Sequence, residues 1–238
     1  PLYSSAASDV YKRQEEGEAA FEEQAIALKE GGADVIWIET LSSIEECQAA
    51  VKGASVAGLP IVLTLSVETN GRTMMGVTPS DLVSLQTDLP VPLIAYGTNC
   101  GLGAAEVVAA VINMKQAAEL ASVEPILVAK GNCGIPEWVD GKICYSGTPE
   151  LMATYTRMAI DSGARIIGGC CGASPNHIAM MRKTIDNYVK SEVPSLEEIE
   201  RHLGPVTSGA KAQMRGDLSI AGGAAGPGSR NSRRSRRR

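Results

Sequence analysis

The sequence predicts an α/β fold built on a parallel sheet, and three observations carry that prediction. Strand-length runs that are apolar throughout alternate with amphipathic helical segments, the pattern of strands covered on both faces. Three helical segments open with Ser or Thr followed by Pro, at Thr78-Pro79, Thr148-Pro149 and Ser174-Pro175, which is N-cap and first-turn chemistry. Polar and sulfur-bearing residues gather where strands end rather than where they begin.

Residues 1–14, PLYSSAASDVYKRQ, follow no periodic pattern, and SSAASDVYKRQ looks like a translated sequencing-adapter remnant. They are set aside as a non-native leader, and the natural sequence is expected to start near Glu15, inside a helix. Glu15 to Leu28 places Phe21, Ala25 and Leu28 on one helical face, and Gly31-Gly32 ends it. Asp34 to Glu39 is an apolar strand closed by a carboxylate. Ser42 or Ser43 caps the next helix, with Glu45 or Glu46 completing a capping box and Ile44, Cys47, Val51 and Ala54 forming its buried stripe. Four further units follow: strand Pro60 to Ser66 with a helix from Thr78-Pro79, strand Pro92 to Tyr96 with a helix from Ala104, strand Pro125 to Lys130 with a helix from Thr148-Pro149, and strand Arg165 to Gly168 with a helix from Ser174-Pro175.

After the strands come Glu39, Ser66, Asn99 with Cys100, Asn132 with Cys133, and Cys170 with Cys171. In a (β/α)8 TIM barrel these points converge on the C-terminal face, where catalysis is located; a doubly wound sheet would spread them along a line. Five units do not close such a barrel. The fold expected is therefore a (β/α)8 TIM barrel of which only about the last five βα units are present, occupying residues 15–203, with about three units missing before Glu15. Residues 204–238 are expected to form a disordered tail, Arg-rich at its end.

Composition bounds the function classes. With 238 residues, 44% hydrophobic and 21% charged, the chain can bury a sizeable core. No apolar stretch is long enough to cross a bilayer and no charged-then-apolar leader suggests export, so a cytoplasmic protein without a membrane partner is expected. Six cysteines are too sparse for a disulfide scaffold. The net charge of −5 hides six arginines and no acid in Gly222 to Arg238; without interleaved aromatic residues this reads as a solvated tail, not a specific nucleic-acid site.

The sulfur chemistry is the most informative feature. Ala164 to Gly172, ARIIGGCCG, is an apolar run followed by two glycines, two cysteines and a glycine; Leu93 to Cys100, LIAYGTNC, ends similarly. Three thiolates from two strand ends would give zinc three protein ligands and one open position, as in catalytic sites. Adjacent cysteines alone also suit core packing or a vicinal disulfide. Cys47, Cys144 and Trp37 read as structural or core residues, His177 as a packing or capping residue in a first helical turn, and Trp138 as a loop residue able to approach a substrate. GLGAAE at Gly101 to Glu106 is not a dinucleotide loop, because Glu106 would face a pyrophosphate.

GTNC at Gly97 to Cys100, GNCGIP at Gly131 to Pro136 and GGCCGASPNHI at Gly168 to Ile178 resemble the homocysteine S-methyltransferase family, a zinc-dependent (β/α)8 barrel, over roughly Glu15 to Tyr188. GRTMMGVT at Gly71 to Thr78 and the short Arg-rich tail are similar to a bacterial branch of the betaine-homocysteine methyltransferase type. The resemblance implies that Cys100, Cys170 and Cys171 bind Zn2+ and act through activation of the substrate thiol, that Glu39 contacts the homocysteine amino group, and that Asn99 and Asn132 support the substrate or the zinc loop. Cys133 stands where the family has alanine and is not counted as a ligand. The family's Asp-Gly segment on the first strand is absent, as are the early loops that help hold the methyl donor, and Thr40 stands where the animal betaine enzyme has an aromatic.

The activity implied is methyl transfer from an onium-type donor, with betaine first and S-methylmethionine, a thetin or a methylated cofactor as alternatives, to the homocysteine thiolate, giving methionine. Two other classes compete: a thiol-disulfide redox protein using Cys170-Cys171, whose activity would survive chelators, and a binding module working through the Arg-rich tail, whose polyanion binding would be salt-sensitive. The fragment by itself is expected to be inactive, because an open barrel exposes two strand edges and an apolar interior.

Overall fold

The computed structural model describes residues 3–134 and 136–218. The Arg-rich stretch from Gly222 to Arg238 lies outside the described residues. In chain order the elements are α1 (Tyr3–Glu30), β1 (Ile36–Leu41), α2 (Ile44–Ser55), β2 (Ile61–Ser66), α3 (Pro79–Leu85), a 3-10 turn (Gln86–Asp88), β3 (Ala95–Cys100), α4 (Ala104–Leu120), β4 (Leu127–Gly131), a hairpin of β5 (Pro136–Val139) and β6 (Lys142–Tyr145), α5 (Pro149–Asp161), β7 (Ala164–Gly169), α6 (Pro175–Asn187), α7 (Leu196–Leu203) and α8 (Ser208–Met214). The main sheet has the order β1-β2-β3-β4-β7, and every neighbouring pair is parallel. Strands adjacent in space are thus consecutive βα units, the arrangement of an arc cut from a barrel.

Side-chain alternation separates the two faces of this arc. Ile36, Ile38, Ile61, Leu63, Leu65, Tyr96, Leu127 and Ala129 point toward the helices and belong to the main core. The inner face, away from the helices, carries a smaller cluster of Val62, Ala95 and Val128 with Ile126 and Ile166 packed on it. Helix starts follow local chemistry. Ser43, Thr78, Thr148, Ser195 and Thr207 each accept a backbone N–H with the side chain, and Pro79, Pro149 and Pro175 sit in first turns where no N–H is required.

Three expectations are corrected. β3 starts at Ala95 rather than Pro92 and runs through Asn99 to Cys100, so the Asn-Cys pair is the strand's end and not the loop after it. Pro92 has no N–H to give a ladder, and pairing toward β2 begins only with the Ile94 N–H donating to the Ile61 carbonyl, 2.9 Å. Trp37 is not core: it is 38% exposed on the inner face of β1, at an edge of the sheet. A run of apolar residues does not reveal which of its two faces the helices cover. Disorder does not begin at residue 204, because α8 packs through buried Ala210, Ala212 and Gln213. The Gln213 amide donates to the Gly71 carbonyl, 2.8 Å, and the Gly209 N–H to Asn70 Oδ1, 2.7 Å, so α8 pins the loop after β2. The hairpin β5–β6 was not anticipated; Asp140-Gly141, with φ of 50 and 75, is its left-handed turn and was its sequence signal.

Burial of polar groups beneath α8 and beside α5 generates two expectations. The fully buried Tyr155 hydroxyl accepts the Gly131 N–H at the end of β4, 2.9 Å. Tyr155→Phe strands that N–H, and urea unfolding should show a loss of about 1–3 kcal/mol. Glu106, on α4, accepts the Thr207 N–H at 3.3 Å, and burial raises its pKa against the opposing pull of Thr207 and Lys211. A carboxyl held above its unfolded pKa favours the native state only while protonated, so its contribution falls as pH rises through the ordinary carboxylate range. Thermal melts of Glu106→Gln across that range should show a flatter pH dependence than the parent chain.

Candidate metal centre

The three sulfurs singled out by sequence meet at one point. Cys100 closes β3, and Cys170-Cys171 follow β7; their Sγ atoms all lie within 4.8 Å of one another, with Cys100 and Cys171 at 3.8 Å. A tetrahedral zinc with bonds of ~2.3 Å spaces its sulfur ligands ~3.8 Å apart, so the cluster fits such an ion in both donor type and spacing. Cys171 is exposed, which leaves an approach from solvent.

Backbone conformation creates this meeting. Cys100 has φ of 60 and Gly101 φ of 70, two successive left-handed residues that turn the chain across the mouth of the sheet. A Cβ on Gly101 would lie 2.5 Å from the Val67 carbonyl oxygen, so glycine is required there. On the other side the Cys170 N–H donates to the Gly131 carbonyl, 2.9 Å, and the Cys133 N–H donates to the Cys171 carbonyl, 3.0 Å, tying the Cys-Cys turn to the end of β4.

Two amides lock the turns. Asn132 donates to the Gly101 carbonyl, 2.9 Å, and accepts the Cys171 N–H, 3.0 Å, bridging the two cysteine-bearing loops. Asn99, wholly buried, accepts from Thr64 Oγ1 at 2.7 Å and the Thr40 N–H at 3.0 Å, donates to Thr40 Oγ1 at 2.8 Å, and sets Nδ2 3.9 Å from Cys170 Sγ. Thr40 itself has φ of 69, an unfavourable conformation for a β-branched residue that these bonds to Asn99 hold in place.

The Cys100 thiol is pushed up to about 11, mainly by burial, with Cys170 and Cys171 adding to the rise and Asn132 opposing it. Three ionised sulfurs at this spacing coexist only around positive charge. Cys133 is wholly buried, burial raises its pKa, and its sulfur is not part of the cluster; it packs, as expected. Cys47 is likewise core, and Cys144 is exposed on β6. His177 accepts the Ser174 N–H at its helix start, 3.0 Å, and its other ring nitrogen meets the Gly147 carbonyl, so it is a capping residue.

Glu39 is not part of the sulfur cluster. Its carboxylate meets Lys130 Nζ at 2.5 Å on the inner face, and Lys130 also lies over the Trp37 ring, 5.1 Å from its centroid. Sequence reasoning passed over Lys130, although a lysine closing an apolar strand was the available signal. It also passed over Tyr145, whose ring occupies the space a Cβ on Gly172 would need; Ser66, expected at a strand end, is there, with a buried hydroxyl that has no hydrogen-bond partner among the described residues. Trp138 is 75% exposed on the hairpin.

Comparisons with known proteins agree with this architecture. Residues 2–185 match the family described as Homocysteine S-methyltransferase. The chain is 27% identical over 219 residues to a methionine synthase of Mycobacterium tuberculosis, covering 87% of this chain and 18% of that protein. It is 29% identical over 191 residues to a methionine synthase of Mycobacterium leprae, covering 77% of this chain and 15% of that protein. The chain therefore spans under a fifth of these relatives. Among solved structures it shares its fold with the homocysteine methyltransferase MmuM from Escherichia coli in apo and metallated forms, TM-score 0.53 and 24% identity for each, covering 70% of this chain and 57% and 51% of those chains.

Asn99 gives this geometry a direct test. Asn99→Ala removes the amide that holds Thr40, Thr64 and the approach to Cys170 together, and a loss of such an outer contact typically weakens a metal site by about 10- to 100-fold. Competition against a chelator should show zinc affinity falling by that factor with stoichiometry intact.

Proposed function

Because the chain belongs to the homocysteine S-methyltransferase family, we propose that Cys100, Cys170 and Cys171 form a zinc site at which homocysteine is methylated to methionine. The observation that carries this reading is the convergence of the three sulfurs within 4.8 Å at the C-terminal ends of β3 and β7. Zinc held there keeps a substrate thiol ionised near neutral pH, where a free alkyl thiol is mostly protonated.

The chain's own residues define what binds beside it. Asn99 and Asn132 fix the two cysteine turns before substrate arrives, so no reorganisation is needed at the reacting sulfur. To Glu39, on the same inner face, this reading assigns the substrate's ammonium group. In the reaction the sulfur lone pair forms the new S–CH3 bond while the methyl group's bond to an onium nitrogen or sulfur breaks, its electron pair leaving with a neutral amine or thioether. No proton moves at the reacting carbon, so the step asks for no general base there. Betaine is the donor we assign, on the resemblance of the Gly71–Thr78 segment to the betaine branch; S-methylmethionine, a thetin or a methylated cofactor would serve the same thiolate.

The test is metal analysis of the full chain purified under reducing conditions, since the ligand set lies wholly within it. About one zinc per chain is expected, lost in Cys170→Ser and retained in Cys133→Ala. Absence of zinc from the reduced protein overturns the reading in favour of redox chemistry at Cys170-Cys171.

A further inference from the structure

The Glu39–Lys130 pair stands apart from the other ion pairs among the described residues. Lys52–Glu18, Lys115–Glu119, Arg182–Asp186 and Lys211–Glu200 lie on helices, whereas Glu39 and Lys130 lie on β1 and β4, with β2 and β3 between them. The pair crosses the inner face of the sheet. At side-chain exposures of 44% for Glu39 and 22% for Lys130, it adds little to stability while leaving a lysine largely desolvated. Stability does not account for it.

Its surroundings are those of a small groove. Asn99 on β3, Lys130 on β4 and Gly168 on β7 share one register row with Ser66 on β2. Gly168 has no side chain, and the Lys130 stem lies 3.3 Å from where its Cβ would be. Ser66 presents to this row a buried hydroxyl with no partner among the described residues. Two residues beyond Gly168 comes Cys170, and two beyond Lys130 comes Asn132, so the row that carries the lysine immediately precedes the sulfur-bearing strand ends. A short amino acid with a thiol at its far end has its two kinds of group matched by these two neighbouring levels.

We propose that Lys130 recognises the α-carboxylate of the amino-acid substrate, with Glu39 taking the α-ammonium, so that the resting ion pair is a place-holder for a zwitterion. The inference rests on the homocysteine reading above and extends it to a residue with no role assigned there. When an amino acid enters, its ammonium replaces Lys130 at Glu39, and the freed lysine turns to the carboxylate. Two cations and two anions remain paired throughout, so neither protein charge is left buried alone. The Trp37 face keeps the lysine on the inner side of the sheet during the exchange. A thiol lacking either head group leaves one member of the pair unsatisfied and is disfavoured.

The experiment is a fluorescence titration of the full chain carrying Trp138→Phe, which leaves Trp37 as the sole tryptophan. The probes are L-methionine, 3-(methylthio)propylamine, which lacks the carboxylate, and 4-(methylthio)butanoate, which lacks the ammonium. All are thioethers, so their binding is read without metal and stands or falls separately from zinc content. L-Methionine should bind at least about tenfold more tightly than either half. Lys130→Met should lower L-methionine affinity to that of the amine and leave the amine unchanged, while Lys130→Arg restores most of the loss. Lys130→Gln provides a second neutral variant if Lys130→Met melts abnormally. Equal binding of the three probes, no response to any of them, or equal weakening of methionine and amine in the neutral variants would overturn the proposal, the last assigning Lys130 a structural role.

Discussion

The whole site depends on backbone amides and carbonyls that are used up at the ends of parallel strands. A parallel ladder leaves its terminal groups without partners, and here those of β4 and β7 are satisfied by each other's loops: the Gly131 carbonyl by the Cys170 N–H, the Cys171 carbonyl by the Cys133 N–H, and the Cys171 N–H by Asn132. Because the same bonds that finish the sheet also fix the two sulfur turns, the geometry of the sulfur cluster and strand register cannot vary independently. A one-residue slip of β7 against β4 would send Cys170 to the helix side and dissolve the cluster.

This coupling explains why so much was legible in the sequence. The units from β1 to α6 announce themselves through apolar runs, Ser/Thr-Pro helix starts and glycine-flanked strand ends, all local signals. The three cysteines were legible for the same reason, since each stands at a strand end and parallel topology brings such ends together. What sequence did not reveal depends on which face of a strand is covered. Trp37 and Lys130 were read as parts of apolar strands, and only the register shows that both occupy the inner face and touch. The helical α8 was hidden in a Gly-, Ser- and Arg-rich stretch because its stability comes from docking on α4 and the loop after β2, not from an apolar stripe of its own.

The inner face also shows how the arc divides labour between rows. Its lower row, Val62, Ala95 and Val128, is apolar and closes on itself as a small core. The next rows carry Thr64, Asn99, Lys130 and Glu39, and the strand ends carry sulfur. Polarity and softness of the ligand atoms thus rise toward the C-terminal face in steps of two residues, the period of the strand. Glycine is placed where that gradient needs room: a Cβ on Gly97 would lie 2.0 Å from the Val128 carbonyl oxygen, and Gly168 yields its space to the Lys130 stem.

A reaction between a thiolate and an onium methyl group makes unequal demands on a protein. The thiolate must be held ionised and aimed, which takes several fixed ligands, whereas the methyl donor is already activated by its own positive charge and needs alignment and exclusion of water. On the function proposed above, three sulfurs, two locking amides and a charged pair, all anchored to strand ends of one sheet, would answer the first demand. For the second the described residues offer the solvent-facing side of Cys171, bordered by the Tyr145 ring over Gly172. On the function proposed above, a thiol half built into the sheet and a donor half built from its margins would let donor preference change by altering loops while the sulfur chemistry, bound to strand register, stays fixed.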